Sequence, residues 1–179
     1  VYADGVYYGE FHDRDNYLEH ALRWPEIAQR FNYNLVVASG GFTQARAPWL
    51  SEAESFVRML ADANVAPPAL PLVLDEAALD SAENLLLGLM TARLALGRVP
   101  IRRVGIWAAW QFKKWRFNRN AEALGIVERT YVHGFASASQ TNVQVPPEDA
   151  RQRAYQEYRD DITEYGLLLA PDKELKRQR

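Results

Sequence analysis

Leu35-Val36-Val37-Ala38-Ser39-Gly40-Gly41 is the stretch on which the fold turns. Four apolar residues followed by a hydroxyl and two glycines form the pattern of a buried parallel strand opening into a tight loop. A helix should follow, and Ser51-Glu52-Ala53-Glu54 supplies its start as a capping box. Ser51 accepts from the early amides and Glu54 reaches back to the cap. Phe56, Val57, Leu60 and Ala61 then recur at helical spacing, and Asn64 with Pro67-Pro68 stops the helix.

The same grammar continues toward the C-terminus. Pro71-Leu72-Val73-Leu74 reads as the next strand, and Asp80-Ser81-Ala82-Glu83 as a second capping box ahead of the apolar stretch Leu85 to Leu96, which Gly97 ends. Val104 to Ala108 makes a third strand. Phe112 to Leu124 carries a helical pattern that Gly125 closes in the left-handed conformation. Thr130-Tyr131-Val132-His133 reads as a fourth strand, and Pro146-Pro147-Glu148 opens a last helix with Tyr155, Tyr158 and Ile162 on one face. Strands alternating with helices predict right-handed crossovers and a mainly parallel sheet covered on both faces, an α/β fold built as a three-layer α/β/α sandwich. Leu35 to Ala38, Leu72 to Leu74 and Val104 to Ala108 should be parallel neighbours or near-neighbours.

The N-terminal part is less regular. Asp4-Gly5 and Gly9 predict a loop or hairpin within Tyr2 to Phe11, and Trp24-Pro25 a break in the helix that starts near Tyr17-Leu18-Ala21-Leu22. The polar stretch Ser137 to Val145 reads as a loop, and the basic Lys173 to Arg179 as a frayed tail. The expectation is one domain over residues 1–179, with an irregular start at 1–14 and a tail at 171–179.

Composition narrows the function classes. The 179 residues are 48% hydrophobic and 25% charged, the balance of one globular domain with a sizeable core. A formal net charge of -2 leaves no global positive field for a nucleic-acid backbone or an anionic membrane, so an anion site must be a local gathering of basic groups. The sequence has no cysteine, which removes disulfides, thiolate catalysis and thiolate metal ligation. No apolar run approaches the roughly 20 residues of a bilayer span, and the start lacks the order of a signal peptide. A first residue other than Met reads as a processed or excised form of a longer protein, with room for an anchor upstream. The location expected is cytoplasmic or soluble and envelope-associated.

Three motifs in order resemble the SanA/YdcF/ElyC family of bacterial proteins. Ser39-Gly40-Gly41 with Ser51-Glu52-Ala53 is similar to that family's strand, loop and helix start. Asp80-Ser81-Ala82-Glu83-Asn84 resembles its second signature, with Ser81 in place of Thr. Ala109 to Arg116 resembles its third, where Arg116 matches and Lys113 stands in place of His. The resemblance implies a Rossmann-like domain and links to the cell envelope, vancomycin exclusion and lipid-carrier-dependent peptidoglycan synthesis. It also implies S-adenosylmethionine as a cofactor to consider, one member type being reported to bind it.

Ligands of parallel α/β sheets bind beyond the carboxyl ends of the strands, where loop amides and helix N-termini converge. Gly40 and Gly41 would bring backbone N–H groups to a phosphate or carboxylate beside Ser39, and Ser81 and Asn84 would add neutral hydrogen bonds. Glu52 and Glu83 are the candidate general bases, set against their plainer role of complementing a helix N-terminus, and Glu54 reads as a cap. Lys113 and Arg116, three apart, share a helix face and would neutralise an anion, whereas Lys114 and Arg119 carry charge around the helix. Lys at position 113 favours binding over proton exchange, because an unperturbed Lys stays cationic near neutral pH.

His12, His20 and His133 lack metal-ligand spacing, and no metal site is expected. Trp107, Trp110, Trp115, Phe112 and Phe117 read as core and cleft wall, one of which could stack on a nucleobase. The function expected is a small-molecule enzyme or binding protein, of transferase or hydrolase type if catalytic, acting on an anionic, phosphorylated or nucleotide-like ligand. The alternative is a non-catalytic ligand sensor or cell-envelope assembly partner, and a third reading is a degenerate site in an interaction module.

Overall fold

The computed structural model describes residues 2–3, 6–7, 14–65, 70–108 and 111–134. The chain divides into two compact units, Val1–Ser137 and Ala138–Arg179, and all described residues belong to the first. His12, Pro67-Pro68, Trp110, the polar loop at 137–145, the last helix with Tyr155, Tyr158 and Ile162, and the basic tail lie outside the described residues. The side chains of Phe112 and Trp115 do too.

The first two strands, β1 (Tyr2–Ala3) and β2 (Val6–Tyr7), pair antiparallel with Ala3 opposite Val6, the hairpin suggested by the Asp-Gly step. Helix α1 (Arg14–Arg30) follows and runs straight through Pro25, where the sequence predicts a break. Proline removes one i to i−4 bond and crowds the preceding turn. Ala21 and Ala28, buried on either side of Pro25, hold both halves of the helix against the rest of the unit and offset that loss. The helix closes with Asn32 at φ 52° and the Tyr33 amide donating to Ala28 O at 3.0 Å.

From there the alternation read in the sequence appears. Strand β3 (Val36–Ser39) leads to α2 (Glu52–Asp62), β4 (Leu72–Asp75) to α3 (Ser81–Leu96), and β5 (Val104–Ala108) to α4 (Gln111–Ala123). A short 3-10 turn, Val127–Arg129, then leads into β6 (Thr130–Gly134). Both long-range pairings are parallel: Val36 to Ser39 lie beside Leu72 to Asp75, and Val104 to Ala108 beside Thr130 to Gly134. The fold is therefore α/β. Its parallel strands form two pairs, β3 with β4 and β5 with β6, and no ladder joins the pairs among the described residues.

Helix ends follow local chemistry. The Ser51 hydroxyl accepts from the Glu54 amide at 2.9 Å, and Asp80 Oδ1 accepts from the Ala82 and Glu83 amides at 2.8 and 2.9 Å. Asn64 (φ 51°) closes α2, and Gly97 (φ 60°) and Gly125 (φ 67°) take positive φ after α3 and α4, a region that glycine enters at no steric cost. One core joins Leu85 of α3, Ala108 of β5, and Phe117 and Ala121 of α4, with Val104, Ile106 and Val132 packed against it. The period-two alternation of strands then puts Gly105, Trp107, Tyr131 and His133 on the opposite face of β5 and β6. No described helix is long and apolar enough to cross a membrane.

Candidate functional site

Strands β3 and β4 end in register, Ser39 opposite Asp75, so the two side chains that close the strands meet. The Ser39 hydroxyl lies 2.6 Å from Asp75 Oδ2 and 3.2 Å from Asn84 Oδ1, the latter in the first turn of α3. Asp75 Oδ1 takes the Ala77 amide at 3.2 Å, which folds the chain sharply after β4. Asp75 is buried, yet both of its oxygens are satisfied. A polar group of this kind pins two strands and presents a fixed array of acceptors at their carboxyl ends.

The Gly40-Gly41 loop is folded around this group. Gly40 donates to Asp75 O at 2.9 Å and Gly41 to Ala78 O at 2.6 Å, while their carbonyls accept from the Ala53 and Glu52 amides. Both loop amides are thus engaged inside the protein, and the loop's part in a site is to shape the edge. Gly40 has φ 153°, and a Cβ there would stand 2.7 Å from Glu52 Cβ. At Gly41 a Cβ would stand 2.8 Å from the carbonyl oxygens of both Glu76 and Ala78. Glycine is required at both positions because backbone and side chain pass too close for anything larger.

The candidate acids divide. Glu54 leaves the reciprocal arm of its capping box unmade and instead receives Arg58 at 2.8 Å, one turn on. Glu83 is buried, and its Oε2 takes the Leu79 amide at 2.8 Å, so it closes the turn before α3. Glu52 is half-buried beside Gly40 and receives the Thr43 hydroxyl. Ser81 is buried, and its carbonyl takes the Asn120 side-chain amide at 3.1 Å.

Two acids that sequence reasoning passed over complete the edge. Asp75 is the group that Ser39 meets, and Glu76 takes the Ser51 hydroxyl at 2.7 Å. Their signal was the strand end Leu74-Asp75-Glu76, legible only once the register with Ser39 is known. The loops and first turns beyond β3 and β4 thus carry Glu52, Asp75, Glu76, Asp80 and Glu83, a density of carboxylate that suits donors such as sugar hydroxyls. Among the described residues no three acids or histidines are grouped to hold a metal ion.

The basic residues stand on α4. Lys113 and Arg116 are half-buried whereas Lys114 is exposed, so the first two share a face that the third does not. Lys113 acts on His20 of α1, whose ring stacks on Trp107 at 5.2 Å and meets Phe56 edge-on at 5.6 Å. Burial first, and the Lys113 charge second, lower the His20 pKa to about 3. His20 is therefore a neutral core ring at physiological pH. Trp107, read as core or wall, is fixed by its indole N–H donating to His20 O at 2.9 Å.

Comparison with family models, with curated proteins and with solved structures returns no match to this chain.

Proposed function

We propose that the chain binds a small phosphorylated or nucleotide-like molecule at the carboxyl edge of β3 and β4. The observation that carries this reading is the joined group Ser39, Asp75 and Asn84, which closes two parallel strands where ligands of α/β proteins are held. The reading takes the two parallel pairs as halves of one three-layer sandwich, with α4 beside the edge. Glu52 and Glu76 accept from the ligand's hydroxyls, Ser81 and Asn84 help to orient it, and Lys113 and Arg116 neutralise its anionic end. Glu52 is the better candidate for proton transfer, because Glu83 already holds the Leu79 amide. The resemblance to the SanA/YdcF/ElyC family supports the same edge and keeps S-adenosylmethionine among the probes.

A non-catalytic role, as ligand sensor or envelope assembly partner, is favoured over turnover by one feature. Ser39 donates to a carboxylate, and among the described residues no imidazole is one of its hydrogen-bond partners, so the Ser–His pair typical of hydroxyl nucleophiles is not formed there. The experiment is calorimetric titration with AMP, a nucleoside diphosphate sugar and S-adenosylmethionine. Lys113→Ala and Arg116→Ala should each weaken binding of the ligand that registers at least about tenfold, the loss of one charge-assisted hydrogen bond, while Lys114→Ala changes it little. Equal affinities for all three variants would remove the α4 face from the site. Recovery of the bound ligand unchanged after prolonged incubation would favour the sensor.

A further inference from the structure

The opposite face of β5 and β6 gathers a second set of groups that the β3–β4 edge does not use. Gly105 leaves a gap on the sheet surface, and the Tyr33 ring, arriving from just before β3, fills it. The Tyr33 hydroxyl lies 3.1 Å from His133 Nε2, and the Phe31 ring packs on the same imidazole with centroids 4.4 Å apart. Arg103, in the approach to β5, lies over the Tyr33 ring at 5.3 Å and is held by Phe31 O at 2.6 Å. That bond uses one of five guanidinium donors. Arg30 lies over Phe31 at 5.5 Å, and Lys114 of α4 acts on His133. Tyr131, beside His133 on this face, is 52% exposed.

These groups have one electrostatic sense. Burial first, then Lys114 and Arg103, lower the His133 pKa, so the imidazole is neutral near pH 7. Burial raises the Tyr33 pKa against the opposing effect of Arg103, with Tyr131 adding to the rise, so the phenol keeps its proton. A protonated phenol and a neutral imidazole share one hydrogen bond whose direction follows the imidazole tautomer, and the second ring nitrogen is left to meet a ligand or solvent. The face offers N–H donors and cations, and among the described residues no carboxylate is one of the charges that act on either ring.

We propose that Tyr33, His133 and Arg103 form a phosphate-binding site on this face, with the exposed Tyr131 ring as a stacking surface beside it. Bound phosphate would offset the positive charge that, after burial, lowers the His133 pKa, so binding and protonation of this imidazole reinforce each other. Affinity rises as pH falls toward the His133 pKa, and phosphate raises that pKa by the same linkage.

The test follows the imidazole resonance of His133 by NMR across pH, assigned with His133→Asn, in chloride and with inorganic phosphate, AMP or adenosine at matched ionic strength. Phosphate should raise the His133 pKa by about half a unit or more. Arg103→Gln should weaken that effect at least about tenfold in phosphate concentration. Tyr33→Phe, which keeps the ring, should shift the titration without abolishing the response. If AMP acts at a concentration about tenfold lower than phosphate and Tyr131→Ala removes that gain, the source is a nucleotide; equal concentrations indicate free phosphate. An unmoved pKa, the same response in Arg103→Gln, or an equal effect from adenosine or chloride overturns the site. The readout is the His133 ring itself, so ligand binding at the β3–β4 edge is scored separately.

Discussion

The ends of β3 and β4 and the aromatic face of β5 and β6 are both built on close approach to glycine, but they meet that approach with different materials. At Gly41 the neighbours are two main-chain carbonyls, fixed by the turn after β4. At Gly105 the neighbour is the far end of one tyrosine ring. The first region has its loop amides and the Asp75 carboxylate engaged by protein partners, and it is rich in acid. The second is aromatic and basic and lies partly open to water. A region whose polar groups are satisfied inward holds its shape, while one with donors near solvent can respond to a ligand. The contrast predicts that substitutions at the first region show up mainly in folding, and those at the second mainly in binding and titration.

The largest effect should come from Gly41→Val. A branched side chain would meet two carbonyl oxygens and disturb the 2.6 Å bond from its amide to Ala78 O. A stability loss of about 4 kcal/mol or failure to fold is expected, combining overpacking with a lost buried hydrogen bond. Chemical denaturation measures it. A loss below 1 kcal/mol would mean that the turn gives way and that the rigid side of the comparison is misjudged. Next is Asp75→Ala, which strands the Ala77 amide and leaves the Ser39 hydroxyl only the longer bonds to Asn84; about 2–3 kcal/mol is expected. Asp75→Asn keeps an acceptor and should cost less than half of that if the role is hydrogen bonding rather than charge.

A third effect crosses both regions through His20. Its folded-state pKa lies near 3, well below the ordinary imidazole value of 6.5, so the unfolded chain takes up the proton first as pH falls. Stability is complete above pH 6.5 and declines toward the folded pKa with a slope approaching 1.4 kcal/mol per pH unit for one proton. About 2 kcal/mol should be gone by pH 5. His20→Leu should flatten this part of the stability profile measured by denaturation at each pH. An unchanged slope would show that the ring is solvated and that α1 does not seal Trp107.

Much of this organisation was legible in the chain, for a physical reason. Strands β3 to β6 are short apolar runs bounded by Gly, Pro or charge, and Ser51 and Asp80 cap the helices they precede; such signals are local in sequence. The Pro25 expectation failed because the loss of one helical bond is local whereas the compensating burial of Ala21 and Ala28 is not. Among the candidate site residues, Ser39 and Asn84 come together, whereas Gly40 and Gly41, expected to offer their amides to a ligand, donate them to Asp75 O and Ala78 O and shape the loop. The direction of the loop amides was illegible, because it depends on the chain beyond β4. Asp75 was missed for the same reason: a carboxylate at a strand end gains its meaning only from the residue across the ladder. The division of Lys113 from Lys114 was legible in helical spacing, but their effects on His20 and His133 were not, since α1 and β6 lie far away in sequence.

The smallest effect expected is also the one that separates the two regions most directly. Gly105→Ala would set a methyl group into the space of the Tyr33 ring, and the ring tip must move away. Since a side chain can rotate where a carbonyl in a turn cannot, the cost should be about 1–2 kcal/mol, at the lower end for overpacking. The second arm is Tyr33→Ala, which empties the gap and removes the bond to His133, and the third is the double variant. If ring and methyl compete for one space, Tyr33→Ala relieves the Gly105→Ala penalty, and the cycle gives a coupling of about 1 kcal/mol. No partner substitution of this kind should rescue Gly41→Val, because its obstacles belong to the main chain. Additive losses in the Gly105 and Tyr33 cycle would mean that the sheet itself resists the methyl group, and the aromatic face would then be as fixed as the β3–β4 edge.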